Sequence, residues 1–305
     1  VGLGEHLVTG GTGGLWLLTG RWLVQRGVRD LMLASRSGRF ARGTEVESAA
    51  LNEATAGGYM HVRLERADVG ESIDIRRIIS VTRRLGGIWH AAGVLADNML
   101  ANQKAASLTY VYSPKSQSAQ ALHEALAGAP LRSCMLFSSV AALLGGPGQA
   151  NYAAANACLD SLVSFSRTCG QPSVSVQWGS WTEVGMAARS EIAERMTLTD
   201  AKRGFGRIDP AQGLSAMSTA LNPCGPAILA VVPITWNLFL TGGSVPAFLD
   251  EFAHMVATAP AAGSAASALV RKLGCAVSLE TVLEMVRAVT GAAAEADVPL
   301  MEMGL

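Results

Sequence analysis

Short apolar runs alternate along this chain with longer segments whose apolar residues recur at helical spacing, the two periodicities of buried strands and of helices packed on them. Residues 5–8 predict a first strand and residues 15–25 a helix; 30–34 with 45–56, then 61–67 with 73–85, repeat the pair. Residues 87–93, 131–139 and 173–178 read as the fourth, fifth and sixth strands, with helices over 102–126 and 149–166. A last helix and strand fall at 211–221 and 227–232. This alternation predicts an α/β fold, a Rossmann-type doubly wound parallel sheet with helices on both faces and right-handed crossovers. Residues 179–208 break the rhythm with a mixed-charge amphipathic stretch after a strand end, where a lid over a substrate would lie.

From residue 242 the composition changes. A short helix is expected over 249–256, and 257–268 is mostly alanine, glycine and serine, the makeup of a tether. Residues 269–289 resume a helical pattern, in a piece too short to bury a core alone. The organisation expected is a catalytic domain over 1–240, a linker over 241–266 and a short helical fragment over 267–305.

With 305 residues, 50% of them hydrophobic, the chain can bury a sizeable core. Lys+Arg 24 balance Asp+Glu 24, so no basic field points to nucleic acid or to an anionic membrane. No run reaches the roughly 18 apolar residues of a membrane span, and no charged and then apolar leader opens the chain. Five scattered cysteines, with Cys134 and Cys158 in apolar segments where burial is expected, fit a reducing compartment such as the cytoplasm. A chain that opens at Val1 and stops at Leu305 reads as a segment of a larger polypeptide.

Candidate chemistry gathers around residues 138–156. Ser139 ends the fifth strand and Tyr152 lies on the helix that follows a glycine-bearing loop. Ligands of open parallel sheets bind outside the carboxyl ends of the strands, so these two hydroxyls can converge on one oxygen. Either residue alone also has an ordinary use, as a capping serine or a half-buried helical tyrosine. At the first strand's end, Thr9, Gly10, Gly11, Thr12, Gly13, Gly14 and Leu15 form a glycine turn into a helix, a cradle for a pyrophosphate. Ser35-Arg36 ends the second strand roughly 20 residues on, where an acidic residue binds the ribose of NAD and an arginine accommodates the 2′-phosphate of NADP. NADPH is the expected cofactor. Asp68-Val69 ends the third strand, with a carboxylate that either accepts from an adenine amino group or caps the next helix. Ala91, Ala92 and Gly93 leave room for a flat ligand, and His90 before them is read as a hydrogen-bonded core residue without chemistry.

Together these marks resemble the ketoreductase domain of modular polyketide synthases, a branch of the short-chain dehydrogenase/reductase family, over about residues 7–240. In that branch the helical tyrosine is followed by asparagine where other reductases carry lysine, and the working lysine comes earlier; Lys115 and Asn156 match. The resemblance implies reduction of a β-ketoacyl thioester carried on the phosphopantetheine of an acyl carrier domain, among the other domains of a polyketide synthase. It assigns proton donation to Tyr152, carbonyl binding to Ser139, support of the phenolate to Lys115 and positioning to Asn156. Residues 267–305 resemble the start of an acyl carrier domain, reaching Gly304-Leu305 of its Gly-Leu-Asp-Ser motif.

Members that make the D-configured alcohol carry Leu-Asp-Asp after the fourth strand, with proline and asparagine before the tyrosine; those of opposite hand carry a tryptophan there. Here Leu95-Ala96-Asp97, Pro147 and Asn151 keep most of the first pattern, Leu144 stands at the tryptophan's place, and Trp178 ends the sixth strand. The D-alcohol is expected. The turn departs from the family at Trp16, where a glycine is usual; the indole either displaces the pyrophosphate or points into the helix interface, and in the first case the domain would be a silent structural spacer.

Overall fold

A computed structural model describes residues 4–10, 13–41, 44–58, 60–82, 84–182, 200–240 and 245–255. The chain divides into two units, Val1–Thr235 and Trp236–Leu305.

In the first unit the strands β1 (Glu5–Thr9), β2 (Asp30–Ser35), β3 (His61–Arg66), β4 (Leu85–His90), β5 (Ser133–Ser139), β6 (Ser173–Trp178) and β7 (Ile228–Val231) form one sheet in the order β3-β2-β1-β4-β5-β6-β7. Every pairing in it is parallel. The expected α/β doubly wound architecture is therefore the observed one. Successive strand residues point to opposite faces, and both faces are buried. Val8, Leu33, Trp89, Met135 and Phe137 enter one apolar layer with Trp16, Leu17 and Leu23 of α1 (Gly14–Gln25) and Met217 of α8 (Pro210–Ala220). Their neighbours Leu7, Met32 and Ile88 enter the opposite layer with Ile75 and Ile78 of α3 (Ser72–Val81) and Leu122 of α5 (Ser118–Ala125). Also on the strands' connections lie α2 (Glu45–Ala56), α4 (Ala105–Tyr112), α6 (Ala141–Leu144) and α7 (Ala150–Thr168).

Several boundaries move. The helix expected over 73–85 ends at Val81, because Leu85 already pairs with Glu5 as the first residue of β4. The single helix expected over 102–126 is broken into a short turn, Leu100–Asn102, then α4, then a π-helical turn, Ser113–Gln117, then α5. Proline at position 114 supplies no N–H to the ladder, and the amide of Ser118 reaches back to the carbonyl of Ser113. Cys158 is exposed rather than buried, since it falls beside the stripe of Ala155, Leu159 and Val163 that α7 turns inward. Cys134 is half-buried, and burial pushes its thiol up to about 11.

The second unit's described residues comprise α9 (Trp236–Phe239) and a 3-10 segment, Ala247–Met255, where the short helix over 249–256 was expected; Trp236 stacks on Phe252 with centroids 3.9 Å apart. The expected lid lies largely, and the tether and carrier-like fragment wholly, outside the described residues. Among the described residues no helix is long and apolar enough to cross a membrane.

Candidate active site

The strand order reverses between β1 and β4, so the connections leaving their carboxyl ends run in opposite directions, the place where open sheets form a crevice. Thr9 and His90 pair across it. Gly10 follows with φ 72°, and a Cβ there would stand 2.9 Å from the backbone of Ala92, so only glycine lets the chain turn away this close. Gly13 then caps α1 with no side-chain hydrogen bond, and Gly14 and Leu15 open the helix with N–H groups that have no intrahelical acceptor. Gly11 and Thr12 lie outside the described residues.

Ser35 and Arg36 stand at the end of β2, beside β1. Ser35 Oγ accepts from the amide of Gly38, whereas Arg36 is exposed and has no hydrogen bond or ion pair among the described residues. Asp68 Oδ1 accepts from the amide of Gly70 at 2.9 Å, and the Asp68 amide donates to Asp74 Oδ2. The carboxylate thus stabilises its own turn, while Val69 is buried in the core below.

Across the crevice, Ser139, Tyr152, Lys115 and Asn156 come together from three elements. Ser139, at the end of β5, accepts from the Ala141 amide at 3.2 Å, and its side chain reaches the Tyr152 phenol. Tyr152 lies in the first turn of α7, and Asn156 one turn later donates Nδ2–H to the Tyr152 carbonyl at 2.8 Å. Asn156 Oδ1 is buried without a partner among the described residues. Lys115 sits on the π-helical turn, its Nζ donating to the carbonyl of Phe137 at 2.9 Å and standing 5.4 Å from the centre of the Tyr152 ring. Burial raises the Tyr152 phenol above its ordinary range, and the Ser139 and Asn156 side chains draw it partway back. Burial lowers the Lys115 ammonium to about 8, against an opposing pull from Asp160. At neutral pH the pair is a protonated phenol beside an ammonium. A carbonyl oxygen brought between Ser139 and Tyr152 would meet two O–H donors.

A second grouping forms the rim. Asn151 is buried, donates Nδ2–H to Ala96 O at 2.8 Å and accepts from the Tyr152 amide, so the loop after β4 is tied to the start of α7. Gln149 Nε2 donates to Asp97 Oδ2 at 3.0 Å. Pro147 is exposed and Leu144 half-buried beside them in sequence. Trp178 takes another direction: it is buried against Phe137 and Trp181, with ring centroids 5.6 and 5.1 Å away, and its Nε1 finds no partner among the described residues. Trp16 also turns inward, packing edge-on against Phe137 at 4.5 Å.

Sequence reasoning passed over the Phe137 carbonyl that holds Lys115, which no side chain announces. It also passed over Gln149, whose place two residues before Asn151 was the available signal, and Asp160, a buried carboxylate on α7 that accepts from Ser175 and Gln177.

A doubly wound sheet with a glycine turn at its switch point and a serine, tyrosine and lysine beyond the next strand ends defines a nicotinamide-dependent reductase of the short-chain dehydrogenase/reductase type. Within that class the chain belongs to the KR domain family, which residues 4–183 match. It is 37% identical over 287 residues to the polyketide synthase GfsB of Streptomyces halstedii, covering 90% of this chain and 5% of that protein. Among solved structures it is similar to A-type ketoreductases from a modular polyketide synthase, at 30% identity and TM-score 0.73, covering 83% of this chain and 53% of that one. It is also similar to the ketoreductase from the first module of phoslactomycin biosynthesis in Streptomyces sp. HK803, at 32% identity and TM-score 0.73, covering 82% and 57%. The chain thus spans about half the length of these solved ketoreductases and a small part of the synthase.

Proposed function

We propose that this domain reduces the β-keto group of a β-ketoacyl thioester, presented on the phosphopantetheine of an acyl carrier domain, to the alcohol with NADPH. The single observation that carries the reading is the convergence of Tyr152, Ser139, Lys115 and Asn156 beside the crevice that begins at Gly10.

The crevice suits a dinucleotide: Gly10 lies flush against the Ala92 backbone, α1 starts without a side-chain cap, and Arg36 is free to meet a 2′-phosphate. Thr9, Gly13, Gly14, Leu15, Ser35, Asp68, Val69, Ala91 and Gly93 would complete its walls, with Gly11 and Thr12 in the turn. When bound, the reduced nicotinamide supplies a hydride. Negative charge grows on the carbonyl oxygen as the carbonyl carbon is reduced, and the Ser139 hydroxyl meets it with a hydrogen bond. Tyr152 gives the oxygen its proton, and the Lys115 ammonium near the ring stabilises the phenolate left behind. Asn156, with Oδ1 facing no protein donor, can orient Lys115 or a relay water. The rim of Asp97, Pro147 and Asn151, with Leu144 in place of a tryptophan, supports the D-configured alcohol. The relatives' names support the synthase setting, and an acyl carrier domain and other synthase domains are the partners proposed for it.

The competing reading, a silent structural domain, needs the Trp16 indole in the cofactor crevice. Its packing on Phe137 speaks for the enzyme instead. NADPH fluorescence titration of the protein and of Trp16→Leu tests this: binding by both supports the reductase, and binding seen only in the variant supports the spacer. Turnover of a β-ketoacyl thioester with NADPH, followed by chiral chromatography, tests the reaction and its hand; mainly L-alcohol would refute the stereochemical assignment.

A further inference from the structure

His90 is wholly buried at the end of β4 and touches both halves of the site. Its Nδ1 lies 2.7 Å from Thr9 Oγ1, immediately before the Gly10 turn, and its Nε2 lies 2.9 Å from the main-chain carbonyl of Lys115. A carbonyl only accepts, so Nε2 carries the hydrogen, Nδ1 is the acceptor, and the Thr9 hydroxyl donates to it. Burial lowers the imidazole to about 4, which keeps this neutral form.

The contact with Lys115 falls where the helix departs from α geometry. The Ser118 amide reaches both Ser113 O and Lys115 O, the Pro114 carbonyl takes the Ser118 hydroxyl at 2.7 Å, and the Lys115 carbonyl, which also lies 3.0 Å from that hydroxyl, accepts from His90 Nε2. Ser118 Oγ also lies 3.1 Å from His90 Nε2, closing a ring of polar groups around the turn. The lysine stem is long and has four rotatable carbons, and among the described residues Nζ has one hydrogen-bond partner, Phe137 O. Its placement beside Tyr152 therefore depends on where the main chain at 115 is held.

We propose that His90 is a positioning residue, a rigid imidazole strut that sets the separation between the cofactor turn at Thr9–Gly10 and the π-helical turn that presents Lys115. This rests on the reductase reading for what Lys115 does, but the strut itself is a matter of hydrogen bonding. Two amide replacements separate its ends. The terminal nitrogen of glutamine falls near the place of Nε2, and the terminal atoms of asparagine fall near the place of Nδ1. His90→Gln keeps the donor to Lys115 and loses the acceptor for Thr9, so KM for NADPH should rise while kcat stays within about 3-fold. His90→Asn keeps the Thr9 contact and removes the imidazole donor to the Lys115 carbonyl, so kcat should fall about 10- to 100-fold with KM for NADPH little changed, the scale expected when a reacting group shifts by about 1 Å.

Nitrogen-15 spectra of the histidine rings in the unmutated protein read the strut without turnover and should show His90 neutral with the proton on Nε2. A proton on Nδ1 would overturn the proposal. So would active variants in which both replacements change kcat and KM alike, or change neither, while thermal unfolding shows them folded. An unmutated protein that shows the expected tautomer but reduces no β-ketoacyl thioester would overturn the reductase reading and leave the strut standing.

Discussion

Tyr152 and Lys115 are moved in opposite directions by the same cause. Loss of water raises the phenol, which keeps the proton on it, and lowers the ammonium to about 8, which works against the charge that would support a phenolate. Replacing Tyr152, the proposed proton donor, by Phe removes the hydroxyl and little else; turnover should fall by at least ~10²-fold, with NADPH affinity unchanged by fluorescence titration. The lysine sets an alkaline limit. Below about 8 it is charged, as the proposed support of a phenolate requires; as pH rises through that value it becomes neutral, so kcat should decline on the alkaline side. A kcat profile level from about pH 6 to pH 10 would contradict the role given to Lys115. These residue types and their order along the chain are legible in the sequence itself. What each hydroxyl or amine touches is not, because the Phe137 carbonyl is a main-chain group common to every residue.

At the scale of elements, periodicity located the strands and most helices, since a strand buried on both faces leaves an apolar run that few other structures produce. It missed the π-helical turn at Ser113–Gln117, a stretch of polar residues around Pro114 in which the helix continues with changed hydrogen bonding. It left the direction of Trp16 open as well. The helix faces the sheet with the indole inside, against Phe137, because an apolar surface of that size is better placed between layers than in a wet crevice. A similar fit holds α8 in place: a Cβ added at Gly213 would overlap the six-membered ring of Trp181, which is itself packed on Trp178. Gly213→Ala should lower stability by about 1–3 kcal/mol, read as a lower urea midpoint, because a dense aromatic layer cannot yield cheaply. An unchanged midpoint would show that the layer can shift.

At the scale of the molecule, two histidines are buried where no carboxylate among the described residues pairs with them. His6 accepts from Trp89 Nε1 at 3.0 Å and His90 spans Thr9 and Lys115; burial lowers both to about 4. The unfolded chain binds protons at these sites near the ordinary value of 6.5, before the folded chain does. Their contribution to stability is thus complete above about pH 6.5 and is lost as pH falls toward 4, by about 3 kcal/mol for each. Urea midpoints should be level from pH 8 to about 6.5 and drop steadily below it, and a level midpoint down to about pH 4.5 would refute this.

Sequence alone determined the alternation of strands and helices, the parallel sheet it implies, the glycine turn, and the candidate set of serine, tyrosine, lysine and asparagine. Those features are local, carried by residue type and spacing. Tertiary structure alone decided that Trp16 packs on Phe137, that Trp178 is sealed into an aromatic layer, and that His90 bonds both Thr9 and the Lys115 carbonyl. Each of those depends on which groups from distant parts of the chain compete for the same buried space and the same hydrogen bonds, a contest settled only once the layers have packed.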